Sequence, residues 1–123
     1  DSLVRGTSSR AIINALRKGG ARKISLVITY PPIKFPCFAG IDFPSQEELA
    51  TYTDGKDYSD EQIIEKVRND IGADFLGYND PENLARAINI PTDSMCFTCV
   101  TGDYSSLGIK PVFKTKLQVE NSK

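Results

Sequence analysis

The chain has 123 residues, of which 40% are hydrophobic and 25% charged, with a formal net charge of −1. These values fit one globular domain or a large piece of one. The near-neutral charge provides no basic surface for nucleic acid, so a nucleic-acid partner is not expected. The longest apolar run, Ile24–Ile28, is far too short to span a bilayer, so no membrane partner is expected either. The absence of histidine excludes Ser-His-Asp and Cys-His catalysis and Cys₂His₂ zinc sites within this chain.

A helix is predicted near the start of the chain. Ile12, Ile13 and Leu16 recur at helical spacing, and the hydroxyls of residues 7–9 are candidate N-caps. A pair of glycines then ends this helix. The next segment, Lys23–Thr29, is short, nearly continuous in apolar residues and rich in β-branched ones, which is typical of a buried parallel strand.

Two capping boxes follow a loop rich in proline and glycine, Tyr30–Pro44. The first box, Ser45–Glu48, predicts a short helix. The second, Ser59 with Gln62, opens a longer helix that Gly72 closes.

The last part of the chain supplies a second strand and a third helical segment. Asp74–Tyr78 is the strand, and Asp80-Pro81 provides the cap and first residue of the helix. After Pro91 the sequence is irregular and carries two cysteines. This order predicts an α/β fold with a parallel sheet, flanking helices and a cysteine-bearing C-terminal segment. Two strands form a poor sheet alone, so we expect them to be part of a larger one.

The first eight residues lead directly into the first helix. A helix N-terminus presents unpaired N–H groups and a positive dipole end, and Gly6 allows close approach of an anion. Thr7 and Ser8 add hydroxyl donors, while Asp1 stands where it can meet sugar hydroxyls or a Mg²⁺ shell. The pattern predicts a phosphate cradle. A capped helix with a solvent-exposed turn is the alternative that these residues alone leave open.

Three cysteines are present, and two of them form the pair Cys96-Phe97-Thr98-Cys99. From spacing alone, a zinc site, part of an iron–sulfur site, a redox disulfide and two buried thiols all remain open. The redox interpretation is disfavoured because a thioredoxin-like pair opens a helix, and this pair has no helical pattern. An odd number of cysteines fits thiolates in a reducing compartment, and so a cytoplasmic protein, better than a secreted disulfide framework.

Four segments, in order, resemble the glutamine phosphoribosylpyrophosphate (PRPP) amidotransferases. They are Asp1–Arg10 (DSLVRGTSSR), Pro31–Asp42 (PPIKFPCFAGID), Ile71–Leu76 (IGADFL) and Cys96–Tyr104 (CFTC followed by GDY). The first is similar to the PRPP loop of that family, with Asp1 matching the second of two acids and Ser8 replacing a threonine. The resemblance implies the C-terminal part of a type I phosphoribosyltransferase-like domain over residues 1–104, followed by a tail of unknown role, 105–123.

The resemblance also implies site residues and cofactors. Residues expected to bind PRPP are Asp1, Ser2, Val4, Arg5, Gly6, Thr7 and Ser8, with Asp1 also serving Mg²⁺. Expected ligands of a [4Fe–4S] cluster are Cys37, Cys96 and Cys99, and the fourth ligand lies upstream in the family. No catalytic residue of the family falls in this chain.

The implied activity is formation of 5-phosphoribosylamine from PRPP and glutamine in de novo purine biosynthesis. Expected partners are PRPP, purine nucleotides as feedback ligands, further copies in a homo-oligomer, and the glutaminase and sheet portions absent from this sequence. Without those portions the chain alone is expected to be inactive. Two alternatives remain: a standalone module that senses PRPP or a nucleotide phosphate without catalysis, and a small zinc-binding interaction protein.

Overall fold

A computed structural model of the chain describes residues 2–40 and 45–113. Its helices and strands are α1 (Thr7–Lys18), β1 (Ser25–Ile28), α2 (Asp60–Ile71), β2 (Phe75–Tyr78), α3 (Pro81–Ile88) and α4 (Thr98–Thr101). Short 3₁₀ turns occur at Gln46–Glu48, Thr92–Ser94 and Ser105–Leu107. In the described ranges, no helix combines the length and apolar character needed to cross a membrane.

The two strands pair in parallel, with Leu26 opposite Leu76 and Ile28 opposite Tyr78. Paired residues of neighbouring strands project to the same side of a sheet, so these four side chains share one face. That face belongs to a core formed with α1 and α2, whose buried members are Leu3, Ile13, Ile24, Ile28, Ile63, Val67, Ile71, Ala73 and Leu76. The predicted α/β fold with a parallel sheet and flanking helices is therefore confirmed.

The other face of the sheet is open. Val27 is 69% exposed and Phe75 is 52% exposed, and on α1 only Ile13 of the predicted apolar positions is buried, since Ile12 and Leu16 are exposed. The prediction that β1 is a buried strand was therefore wrong for this face. The apolar run is typical of a strand covered on both sides, and the described residues provide a cover on one side only.

Helix ends follow the sequence pattern at α2 and depart from it at α1. Ser59 Oγ accepts a hydrogen bond from the Gln62 backbone N–H, and the Gln62 side chain accepts one from the Ser59 N–H, so the predicted capping box is confirmed. At α1 the N-cap is Gly6, with φ 75° and no side-chain cap bond. The predicted cap hydroxyls at 7–9 instead lie in the first turn of the helix.

The capping box predicted at Ser45 was wrong. Residues 46–48 form a single 3₁₀ turn, and Ser45 makes no cap bond. Leu49 explains the difference, because it leaves the turn in an extended conformation and is buried against Ile33. In addition, the Gln46 side chain donates to the Lys34 carbonyl at 3.1 Å, which ties the turn to the preceding loop. Tertiary burial therefore prevents the helix from continuing.

Asp74 joins three elements at the start of β2, and this arrangement predicts a pH-dependent stability. Its Oδ2 atom accepts hydrogen bonds from the Ile24 N–H and from Arg17, each at 2.6 Å. The Ile24 N–H, followed by Arg17, lowers the pKa of Asp74. A lowered folded-state pKa gives stability that is present above the unfolded pKa of about 3.9 and is lost as the pH falls through the folded value.

Replacing Asp74 by asparagine is therefore expected to lower the melting temperature at pH 7 and to flatten its decline at acidic pH. Thermal unfolding between pH 7 and pH 2 measures both effects. The exposed Asp57, replaced by asparagine, is the control and should leave the profile unchanged. Identical profiles for the wild type and Asp74→Asn would show that this carboxylate does not stabilise the junction.

Candidate functional site

The N-terminus of α1 opens onto a cavity of about 230 Å³ that is lined by residues 2–9. Gly6 makes this possible, because its left-handed backbone turns the chain directly into the helix at little steric cost. No side chain caps this end of the helix. The N–H groups of the first turn therefore remain available to a ligand, together with the positive end of the helix dipole.

The loop before α1 is held firmly against the core. Leu3 is buried, and the Ala50 N–H donates to the Val4 carbonyl at 2.8 Å. A Cβ atom placed on Gly6 would lie only 3.3 Å from Ile71 Cγ2. The loop therefore holds this conformation without a ligand, which reduces the conformational-entropy cost of binding one.

Polar side chains surround the same cavity. Thr7 and Ser8 are exposed, and their hydroxyls sit at the helix N-terminus. Arg5 also lines the cavity, and its Nη2 atom lies 3.5 Å from Glu48 Oε1. Outside the lining, Arg10 Nε donates to the Asp70 carbonyl at 2.8 Å. Backbone donors, two hydroxyls and the helix dipole form an arrangement that can bind a phosphate-sized anion.

The structure brings together most of the predicted PRPP-binding residues. Along the cavity lie Ser2, Val4, Arg5, Gly6, Thr7 and Ser8, and also Leu3 and Ser9, which sequence reasoning did not include. The run of three hydroxyl residues at 7–9 was the available indication for Ser9. Asp1 lies outside the described residues, so its proposed contacts with ribose and Mg²⁺ stay a prediction.

The three cysteines come from two segments that are bonded to each other. Cys37 and Cys99 are half-buried and pack against Ile33, whereas Cys96 is exposed, and all three are free thiols. The Cys99 carbonyl accepts hydrogen bonds at 2.9 Å from the N–H groups of residues 34 and 35. These bonds tie α4 to the loop that carries Cys37.

Electrostatics also couples the three thiols. Burial raises the pKa of Cys99, the hydrogen bond between Cys99 and the Tyr30 hydroxyl opposes that shift, and Cys37 and Cys96 add to it. Burial and the same cysteines raise the pKa of Tyr30. The Tyr30 hydroxyl, which contacts the Cys96 carbonyl and the Cys99 sulfur, therefore remains protonated at neutral pH.

The three thiols, without nitrogen or oxygen ligands beside them, are the donor type that iron–sulfur clusters take and that all-cysteine zinc sites share. Within residues 2–40 and 45–113, no three His, Cys, Asp or Glu side chains are grouped so as to hold one metal ion.

One expectation for this region was wrong. The pair at 96 and 99 was expected to lie outside any helix, yet Cys99 lies in α4. This single turn is set by burial of Phe97 and Val100 and is ended by Gly102 in a left-handed conformation. Four residues are too few to show a helical period in the sequence.

Comparison with curated proteins identifies close relatives, although no protein-family model matches the chain. Amidophosphoribosyltransferase from Mycobacterium tuberculosis is 43% identical over 105 residues, which is 85% of this chain and 19% of that protein. The Bacillus subtilis protein of the same name is 39% identical over 108 residues, and amidophosphoribosyltransferase 1 from Arabidopsis thaliana is 35% identical over 120 residues. The chain spans about a fifth of the length of these relatives.

Solved structures lead to the same group of proteins. The B. subtilis glutamine PRPP amidotransferase, described as complexed with ADP and GMP, matches 84% of this chain with a TM-score of 0.66 and 38% identity. A protein described as the allosteric regulatory enzyme of purine biosynthesis matches 96% of this chain with a TM-score of 0.70 and 35% identity. This chain covers 22% and 24% of those two chains. The predicted resemblance to part of a type I phosphoribosyltransferase sheet is confirmed.

Proposed function

Because this chain is homologous to one segment of the amidophosphoribosyltransferases, we propose that it forms the PRPP-binding part of such an enzyme. Residues 1–104 would belong to the C-terminal part of the phosphoribosyltransferase domain, and residues 105–123 to its tail. The reaction of the whole enzyme transfers ammonia from glutamine to C1 of PRPP and releases pyrophosphate, yielding 5-phosphoribosylamine for purine biosynthesis. The observation that carries this assignment is the uncapped N-terminus of α1 beside the Gly6 loop.

The cradle would bind the 5′-phosphate of PRPP. Backbone N–H groups of the first turn of α1 would surround its oxygens, and the Thr7 and Ser8 hydroxyls would add two donors. Asp1 would accept hydrogen bonds from the ribose hydroxyls and contribute to the Mg²⁺ shell. When bound, Mg²⁺ neutralises the pyrophosphate that leaves C1. The role of this segment is therefore to hold the ribose in position for attack at C1.

Other parts of the enzyme would supply the remaining functions. No catalytic residue is assigned within this chain, so the 123-residue chain by itself is proposed to be inactive. The open sheet face with Val27 and Phe75 supports a cover of helices from the remaining part of the domain, because parallel sheets carry helices on both faces. The B. subtilis structure with ADP and GMP supports purine nucleotides as feedback ligands of the enzyme. A homo-oligomeric, cytoplasmic enzyme is part of the same proposal.

The cysteines would hold a [4Fe–4S] cluster of structural or regulatory rather than catalytic role. Cys37, Cys96 and Cys99 would supply three thiolates, and a fourth would come from an upstream segment of the enzyme. The packing of Cys37 and Cys99 against the same apolar cluster and the bonds that join α4 to the Cys37 loop support this assignment. A cluster at this place would join the loop that carries Cys37 to the segment that carries Cys96 and Cys99.

Binding of ribose 5-phosphate to the 123-residue chain tests the phosphate cradle. Replacing Ser8 by alanine removes one charge-assisted hydrogen bond, and is expected to weaken binding about tenfold, corresponding to ~1.4 kcal/mol. Isothermal titration calorimetry at low and high salt measures the affinity. The matched control, Ser8→Thr, keeps the hydroxyl and should bind as the wild type does. A flat titration for the wild type, or equal affinities for Ser8→Ala and the control, would oppose the proposal.

A further inference from the structure

Tyr30 reaches from the end of β1 to the cysteine pair, a contact that the phosphate cradle does not explain. Its hydroxyl donates to the Cys96 carbonyl at 3.1 Å and lies 3.8 Å from Cys99 Sγ. Its ring stacks on Phe97 with 6.0 Å between centroids. One side chain therefore contacts the first cysteine of the pair, the residue after it and the sulfur of the second cysteine.

The direction of the sulfur contact depends on the state of Cys99. A free thiol can donate or accept, but a metal-bound thiolate has no proton and can only accept. A phenol hydroxyl keeps its proton at neutral pH. When Cys99 binds iron, its sulfur can only accept, and because the Tyr30 hydroxyl has one proton, that proton is shared in a bifurcated hydrogen bond between the Cys96 carbonyl and the Cys99 sulfur.

We propose that Tyr30 is a positioning residue for the cluster ligand Cys99, sharing its one hydroxyl proton between the Cys99 sulfur and the Cys96 carbonyl and so fixing the turn between the two cysteines. This inference rests on the proposed function, because it requires the cluster. Hydrogen bonds to the sulfurs are among the factors that set the reduction potential of iron–sulfur clusters. A donor at the Cys99 sulfur stabilises the reduced, more negative state, so Tyr30 raises the potential.

Tyr104 provides a matched control in the same region. Its hydroxyl donates to the Pro36 carbonyl at 2.6 Å, immediately before Cys37, and its ring packs edge-on against Phe38. Both tyrosines thus bond a backbone carbonyl beside a cysteine. Of these two tyrosine hydroxyls, that of Tyr30 also contacts a cysteine sulfur.

The experiment compares Tyr30→Phe and Tyr104→Phe in an amidophosphoribosyltransferase that carries this segment, purified without oxygen. Iron and sulfide content and the midpoint potential are measured, the latter by redox titration followed by electron paramagnetic resonance. Tyr30→Phe is expected to keep its iron and to shift the midpoint to a lower potential. Tyr104→Phe is expected to have the same midpoint potential as the wild type.

Each contrary outcome separates the two proposals. An unchanged midpoint in an iron-replete Tyr30→Phe, or equal shifts in both variants, overturns the role of Tyr30 and leaves the cluster standing. A wild-type enzyme without iron and sulfide overturns the cluster and the role of Tyr30 together. If Tyr30→Phe loses its iron, the hydrogen bond to the Cys99 sulfur is tested instead by resonance Raman spectra of the wild type in H₂O and D₂O. An iron–sulfur stretch that shifts on deuteration supports the hydrogen bond, and no shift overturns it.

Discussion

Alanine at Gly6 is expected to weaken ribose 5-phosphate binding by at least about tenfold and to lower the melting temperature. Gly6 has φ 75°, where a non-glycine residue costs about 1–2 kcal/mol. The added Cβ would also lie 3.3 Å from Ile71 Cγ2 and 3.7 Å from Leu3 Cδ2, so the loop must move away from the core. Such a movement displaces the first turn of α1, whose N–H groups form the proposed phosphate site.

Gly20 provides the matched control for this substitution. It also has a left-handed backbone, with φ 94°, but no heavy atom within 4 Å of an added Cβ, and it lies at the opposite end of α1. Gly20→Ala should therefore lower stability through backbone strain while leaving ribose 5-phosphate affinity unchanged. Thermal unfolding and calorimetry on both variants separate strain from loss of the site. A Gly6→Ala variant that binds as tightly as Gly20→Ala would contradict the cradle.

Serine in place of Cys99 is expected to remove the cluster from an amidophosphoribosyltransferase that carries this segment. Loss of an outer-shell partner alone typically costs 10–100-fold in metal affinity, so loss of a thiolate ligand should reduce bound iron by more than about tenfold. Cys99 is half-buried, and serine is close to it in shape, so the fold around α4 should persist. Iron and sulfide analysis of protein purified without oxygen measures the effect.

The control for this substitution lies in the same turn. Thr98 is buried and its hydroxyl is 3.5 Å from Cys96 Sγ, so Thr98→Ser keeps the polar group beside the cysteine pair. That variant should retain its iron. Iron unchanged in Cys99→Ser would remove this residue from the ligand set. Zinc without iron in the wild type would instead favour a zinc-binding interaction protein.

Local patterns predicted those parts of the fold that local interactions determine. The capping box at Ser59 and the cap at Asp80 both form, because each uses partners only three residues away. The similar pattern at Ser45 does not start an α-helix, because Leu49 is buried in an extended conformation and leaves only a single 3₁₀ turn before it. The same reasoning predicted β1 as a buried strand, but the described residues cover one face of the sheet and leave Val27 and Phe75 exposed on the other.

The candidate site also has one part that local sequence patterns predict and one part that they do not. The phosphate cradle lies within eight consecutive residues, so its glycine and hydroxyls were visible in the sequence. The cysteine region depends on contacts between residues more than sixty positions apart, such as the bonds from Tyr30 to Cys96 and from Tyr104 to Pro36. The residue types indicated a thiolate site, but no local pattern could have assigned the two tyrosines to it.

Amide chemical shifts report directly on whether the N-terminus of α1 binds the phosphate of PRPP. Ribose 5-phosphate is titrated into the isotope-labelled 123-residue chain, and the backbone N–H resonances are followed. Saturable shifts concentrated at residues 4–9 are expected, with an affinity that falls as salt increases. An absence of shifts at residues 4–9, or shifts confined to another surface, would contradict binding at this site.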